Sequence, residues 1–321
     1  QLESFIESIH DYVRIIHPGF KFINMTKLQQ NMHGRGIRIA VFDVFENDLL
    51  VKQSLLYLNA KIRRLMSFGD PVQMNHGNIV IDMILQIAPE AEIIPVSSDA
   101  KSYAAAMQFM ALNEEIDIVN MSRAFAQLKQ TKKLDPEFSK ALKILIQNKI
   151  LCKSLGNTGT DLDGVLNPRR ARLGLGPVNN LFAYDLDLIK DLFTEQVQND
   201  LLIFAENLTP FADDMALTAT IPGIVNEVNK RTLSVPAEGV WSPSVGTFES
   251  GSSFAAPQLA ALSALLLEVS QLQKPELTKL EHEQRVIFSL KQNAHLFAQK
   301  SEDWGLGLVD ADAAFDYLNQ N

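Results

Sequence analysis

The sequence has a single cysteine, Cys152, in 321 residues, so no disulfide can form within the chain. A chain of this length can bury a core that needs no such staple. Cys152 sits in the short apolar run KILCKSLGN and reads as a buried structural thiol rather than a nucleophile. Lack of disulfides suits a cytosolic protein and many bacterial secreted proteins equally, so it does not fix the compartment. Positive charge is also scarce. With 29 Lys and Arg against 38 Asp and Glu, the formal charge is −9 and the pI about 5.2, which excludes general nucleic-acid binding through a basic face. The one dense basic run, NPRRARLG with Arg169, Arg170 and Arg172, reads as a solvated loop, with a substrate or processing site as the other reading. Uncharged apolar stretches long enough to span a bilayer are missing outside the helix predicted from Ser253, and that helix follows a polar turn, so no membrane span is expected. Repeats with a solenoid period are absent. No His, Cys and carboxylate grouping has zinc-ligand spacing. The chain begins at Gln1 rather than Met, as a mature form would after loss of a signal peptide or pro-segment.

What is present is the composition of a globular protein, 46% hydrophobic and 21% charged. No linker interrupts it, and residues 1–321 read as one domain. The first thirty residues read as mixed helix and loop. Beyond them GIRIAVFDV, EIIPVS, IDIVNMS and ILCKSLGN are short apolar strands. Between them lie helices at about Asn78 to Ile87, in KSYAAAMQFMALNEE, and in LDPEFSKALKILIQNK, where Asp135 caps and Pro136 takes the first position. This β-α alternation predicts an α/β fold, a mainly parallel central sheet with helices on both faces. LLIFAEN and RTLSVPAEGVWSP resume the strands. Residues 158–200 are less regular, with a helix predicted near YDLDLIKDLFTEQVQ. A helix is read from Ser253, KLEHEQRVIFSLKQNA follows it, and the chain closes with WGLGLVDADAAFDYL.

Sites in such sheets form at the carboxyl ends of the strands. Asp43, Ser122 and Asn157 each end one of these strands. Ser253 opens an apolar helix, near unsatisfied N–H groups and the positive end of the helix dipole. A serine hydroxyl becomes a nucleophile when a histidine takes its proton and a carboxylate orients that histidine, with a donor for the oxyanion completing the set. Asp43, His76, Asn157 and Ser253 supply these groups. The other five histidines, His10, His17, His33, His282 and His295, lie in no such context.

Six stretches, in order from about residue 34 to residue 315, together resemble the subtilisin-like serine proteases of the S8 type. IRIAVFD resembles the strand of the family's Asp. NHGNIVIDMI resembles its His-Gly-Thr-His-Val-Ala-Gly helix start, and IDIVNMS its substrate-binding strand. LGNTG resembles the oxyanion Gly-Asn turn, SGSSFAAP the nucleophile motif Gly-Thr-Ser-Met-Ala-x-Pro, and GLGLVDADAA the closing segment. The resemblance implies a three-layer subtilisin-like fold and a serine endopeptidase. Ser253 would attack the scissile carbonyl, His76 act as base and Asp43 orient it. Asn157 would stabilise the oxyanion with the Ser253 N–H, while Ser122, Arg123 and Ala124 bind substrate as an added strand. The implied partners are a protein or peptide substrate, with a pro-segment or activating partner, and the implied location is secreted or translocated. No cofactor is required. Calcium stabilises many relatives, and Asp161 and Asp163 in TDLDG offer a partial ligand set only.

The chain departs from the family in places. Val44 and Phe45 follow Asp43, where Thr or Ser and then Gly are usual, so this loop is expected to be rebuilt. Asn78 and Ile79 replace the usual Thr and second His. Arg123, Ala124 and Phe125 replace Leu-Gly-Gly after the substrate strand, which predicts a narrowed or occluded first pocket. The region 158–200 reads as an insertion, either a lid or exosite or a plain surface loop. Two other readings therefore stand beside the protease: a degenerate or partner-activated form that binds peptides without cleaving them efficiently, and the acid-acting sedolisin type, which His76 and Asn157 disfavour. An α/β hydrolase would need a Gly-x-Ser-x-Gly elbow and the order Ser, Asp, His, and neither is found. Pro257 is expected in the first turn of the Ser253 helix, where proline is tolerated.

Overall fold

A computed structural model describes residues 18–45, 60–123, 135–160, 166–176, 201–220, 226–295 and 304–321. Ten strands are described: β1 Arg38–Phe42, β2 Lys61–Ile62, β3 Met66–Phe68, β4 Glu92–Ser98, β5 Ile118–Met121, β6 Ile150–Ser154, β7 Leu202–Leu208, β8 Thr232–Pro236, β9 Glu238–Ser242 and β10 Thr247–Ser250. Nine helices accompany them: α1 Thr26–Asn31, α2 His76–Ile87, α3 Tyr103–Leu112, α4 Pro136–Asn148, α5 Pro168–Arg172, α6 Asn226–Asn229, α7 Ser252–Gln273, α8 Lys279–Gln292 and α9 Ala311–Gln320. The main sheet runs β2-β4-β1-β5-β6-β7-β8, with β3 also paired to β4. Every pair in it is parallel, so all the strands end along one edge. β9 and β10 form a separate antiparallel hairpin.

Alternation along each strand explains the layers. Side chains two apart share a face. Ile39 and Val41 of β1, Ile118 of β5, Ile150 and Cys152 of β6, and Ile203 and Ala205 of β7 pack on one face with α2, α7, α8 and α9. Ala40 and Phe42, Val119 and Met121, Leu151, and Leu202 and Phe204 pack on the other with α3 and α4. A strand buried on both faces must be apolar where it is covered, as Ile39 to Phe42 of β1 are. Cys152 is fully buried, and burial pushes its thiol up to about 12, so it is an inert core residue.

Asp135 caps α4 by accepting the Glu137 N–H, with Pro136 at the first position, as the sequence predicts. Helix α2 starts at His76, two residues before the predicted Asn78. The basic run is not a solvated loop. It forms α5, where Arg169 pairs with Glu238 at 2.8 Å, Arg172 pairs with Asp214, and Arg170 donates to the Leu217 carbonyl at 3.1 Å. These contacts pin a segment that loop composition alone would leave in water. The helix read near YDLDLIKDLFTEQVQ, most of the insertion read at 158–200, and Asp161 and Asp163 lie outside the described residues.

Helix α7 is apolar all round and buried along nearly its whole length. Its length and composition would let it cross a membrane, but 89% of its most apolar window is buried inside the protein. Pro257 does not lie in its first turn. It is the sixth residue of α7, so it withholds an N–H from the Ser253 carbonyl four residues back. That carbonyl is satisfied from outside the helix, as described next.

Candidate active site

Asp43 follows β1 directly. Its N–H extends the ladder to the Val96 carbonyl at 2.9 Å, and its side chain is fully buried. Its Oδ1 accepts the Val44 N–H and faces His76 Nδ1, both at 2.8 Å. A carboxylate only accepts, so Nδ1 carries the proton and Nε2 offers the lone pair. The backbone fixes the pair from both sides, because Gly77 N–H donates to the Val44 carbonyl at 2.9 Å. Phe45 packs over Gly77, where an added Cβ would lie 2.4 Å from the Phe45 ring. Val44 and Phe45 therefore close on the start of α2. The His76 side chain is 28% exposed and lies 5.6 Å, ring to ring, from Phe254. Burial opposes charge on His76, but the Asp43 carboxylate outweighs it, and the imidazole is held above its ordinary value.

Ser253 is the second residue of α7. Gly251 before it has φ +146°, a conformation side chains rarely accept. An added Cβ there would lie 3.0 Å from both polar atoms of the Asn157 amide. Asn157 Oδ1 accepts the Ser252 N–H at 2.8 Å, satisfying a first-turn donor of α7. This bond fixes the amide so that its Nδ2 is the remaining donor edge. Ser252 Oγ in turn accepts the Gly156 N–H at 3.0 Å.

Ser122 and Ser253 form a reciprocal pair. Ser253 Oγ donates to the Ser122 carbonyl at 2.9 Å, and Ser122 Oγ donates to the Ser253 carbonyl at 2.8 Å. The second bond serves the carbonyl that Pro257 leaves without its helical donor. Asn120 Nδ2 donates to Ser122 Oγ at 3.0 Å, orienting it. A hydroxyl has one proton, so Ser253 in this geometry gives it to Ser122 and not to His76.

Arg123 follows Ser122 and folds back over the strand ends. Its guanidinium lies 4.9 Å from the Tyr103 ring centroid and 5.2 Å from that of Phe42. The structure thus brings Asp43, His76, Asn157, Ser253, Ser122 and Arg123 to one end of the sheet. Ala124 lies outside the described residues.

Three contributors were not singled out from the sequence. Ser252 and Asn120 act through backbone and hydroxyl contacts that their neighbours in the motifs overshadow. Asp82, buried on the apolar helix α2, accepts from Ser242 Oγ, Ser244 Oγ and the Ser244 N–H. It fastens the hairpin that leads into Ser253. A carboxylate inside the apolar run NIVIDMI was the available signal.

No family model matches the chain, and no curated protein sequence matches it. Solved structures do. The prenylagaramide maturation protease PagA is 17% identical, with a TM-score of 0.65 over 92% of this chain and 98% of its own. A lanthipeptide protease is 16% identical, with a TM-score of 0.65 over 97% of each chain. The patellamide maturation protease PatA is 18% identical, with a TM-score of 0.62 over 89% of this chain and 98% of its own. The chain has the α/β fold of these subtilisin-like protease domains.

Proposed function

We propose that the chain is a serine endopeptidase of the subtilisin type that acts on peptide or protein substrates. The observation that carries this reading is the 2.8 Å Asp43–His76 contact at the same strand edge as Ser253, which sits on the dipole end of α7 beside an Asn157 amide oriented by the helix it serves. Ser253 leaves its bond to Ser122 and passes its proton to His76 Nε2 as Oγ bonds to the scissile carbonyl carbon. The former carbonyl oxygen takes the negative charge and is met by Asn157 Nδ2 and the Ser253 N–H. His76 returns the proton to the departing amine, and water then releases the acyl group by the same steps in reverse order. Asp43 holds the tautomer and stabilises the imidazolium. Ser122 would pair with the substrate backbone. No cofactor enters these steps.

The fold neighbours named for peptide maturation favour a processing role with narrow specificity over general degradation. A second reading, a resting form that awaits a substrate, pro-segment or partner, is favoured by the bond from Ser253 Oγ to the Ser122 carbonyl, which occupies the nucleophile.

Labelling by a fluorophosphonate probe tests the proposal, with wild type compared to Ser253→Ala and His76→Ala. The expected result is labelling of wild type only, with peptide turnover by Ser253→Ala lower by a factor on the order of 10⁶. Equal turnover by wild type and Ser253→Ala would remove Ser253 from the nucleophile's role.

A further inference from the structure

Arg123 puts a positive charge at the strand ends that carry Asp43 and Ser122, in a chain whose net charge is −9. Two aromatic rings hold it there. Phe42 and Tyr103 meet edge to face at 5.3 Å, and the guanidinium rests 5.2 and 4.9 Å from their centroids. Its hydrogen bonds are weak by comparison. Nη1 reaches the Ser98 and Asp43 carbonyls at 3.3 and 3.4 Å, beyond the usual range for N–H donors. Among the described residues no carboxylate pairs with Arg123. The side chain is half-buried rather than enclosed, and its charge is felt at the imidazole of His76, which it opposes in taking a proton. An arginine needed only to tie strands together would make short, well-directed bonds. This one is oriented by stacking, and among the described residues most of its five N–H donors are uncommitted.

Its place in the chain says what would meet it. The Ser122 carbonyl lies 2.9 Å from Ser253 Oγ. An acceptor that close to the nucleophile is also within reach of the N–H of the residue whose carbonyl is attacked. A peptide extended from that point along Ser122 passes Arg123 with the residues on the acyl side of the scissile bond. We propose that Arg123 selects peptides with an Asp or Glu side chain on the acyl side, the planar guanidinium pairing with the carboxylate. This rests on the protease reading above.

Binding separates the two ideas. Fluorescein-labelled nonapeptides of a neutral background, carrying Glu, Gln or Lys at each position in turn, are titrated into the Ser253→Ala protein at low ionic strength. At one or two adjacent positions the Glu peptide is expected to bind about fivefold more tightly than its Gln counterpart, and the Lys peptide least well. Added salt shrinks the ratio. Arg123→Glu in the same background inverts the order, and Arg123→Lys keeps it. Each ratio is taken within one protein, so a general loss of affinity cancels. If Arg123→Glu fails to fold, Arg123→Met, which keeps a stem against the rings, is expected to bring the ratio to one. The proposal is overturned by no binding of any peptide, by Glu and Gln peptides alike at every position, or by a ratio that survives Arg123→Glu or Arg123→Met. Fluorophosphonate labelling of Ser253 reports independently. Charge-selective binding without labelling sinks the protease reading alone, and labelling without charge selectivity sinks this one alone.

Discussion

Asn157 works by being held. Its Oδ1 caps α7 through the Ser252 N–H, and under the proposed function the Nδ2 of the same side chain would meet the oxyanion. Asn157→Ala removes one such donor and is expected to lower kcat by roughly 10²–10³ with little change in KM. A KM effect with unchanged kcat, in steady-state assays, would assign Asn157 to substrate binding instead. Ser122 has a comparable double duty, since its hydroxyl supplies the donor that Pro257 denies the Ser253 carbonyl and its own carbonyl accepts the Ser253 hydroxyl proton. Asp43, His76 and Ser253 could be picked from the sequence because each sits at an element end inside a motif resembling the subtilisin-like proteases, and histidine is scarce, with six in the chain. The roles of Ser252 and Asn120 could not, because a buried serine or asparagine looks the same in sequence whichever backbone group it serves.

Among the elements, the entry to α7 is the tightest. Gly251 combines φ +146° with a Cβ position 3.0 Å from the Asn157 amide. Gly251→Ala is therefore expected to move Asn157 or the first turn of α7. It should lower kcat/KM by about 10²-fold and stability by about 1–3 kcal/mol. Activity assays alongside thermal melts check this, and wild-type values in both would show that the turn yields without consequence. The longer elements were legible. β1, β4, β5 and β6 each hold a β-branched or apolar run because both faces are covered, and α4 announces itself with Asp135-Pro136. β2 and β3 were not, since a strand of two or three residues carries no period to read and Lys61, Met66 and Ser67 are no more apolar than a loop. Pro257 was read one turn too early because its tolerance was argued from the helix start, whereas a side chain from another strand makes it tolerable.

Across the whole molecule, the end of the sheet opposite the candidate site holds a second set of charges. Glu283 of α8 is buried with neither oxygen hydrogen-bonded among the described residues. Burial raises it to about 8, with Lys279 and Lys149 opposing and Asp117 adding to the rise. Lys149, buried before β6, donates to the Asn113 and Ile116 carbonyls, and burial lowers it to about 8. A carboxyl raised in the folded state binds its proton more tightly folded than unfolded. Its contribution to stability is present below its ordinary value of 4.5 and is lost as pH rises through about 8. Glu283→Gln is expected to flatten that decline, so that the variant gains on wild type from pH 5 to 8 in urea unfolding. A constant difference across the range would show that Glu283 is not the group responsible. The chain also has a direction in time. Synthesis delivers Asp43 and His76 first, Asn157 next and Ser253 last, and the buried length of α7 follows Ser253. If these residues act as proposed, the base and its orienting acid precede the nucleophile in the chain, and all ten described strands are made before Ser253.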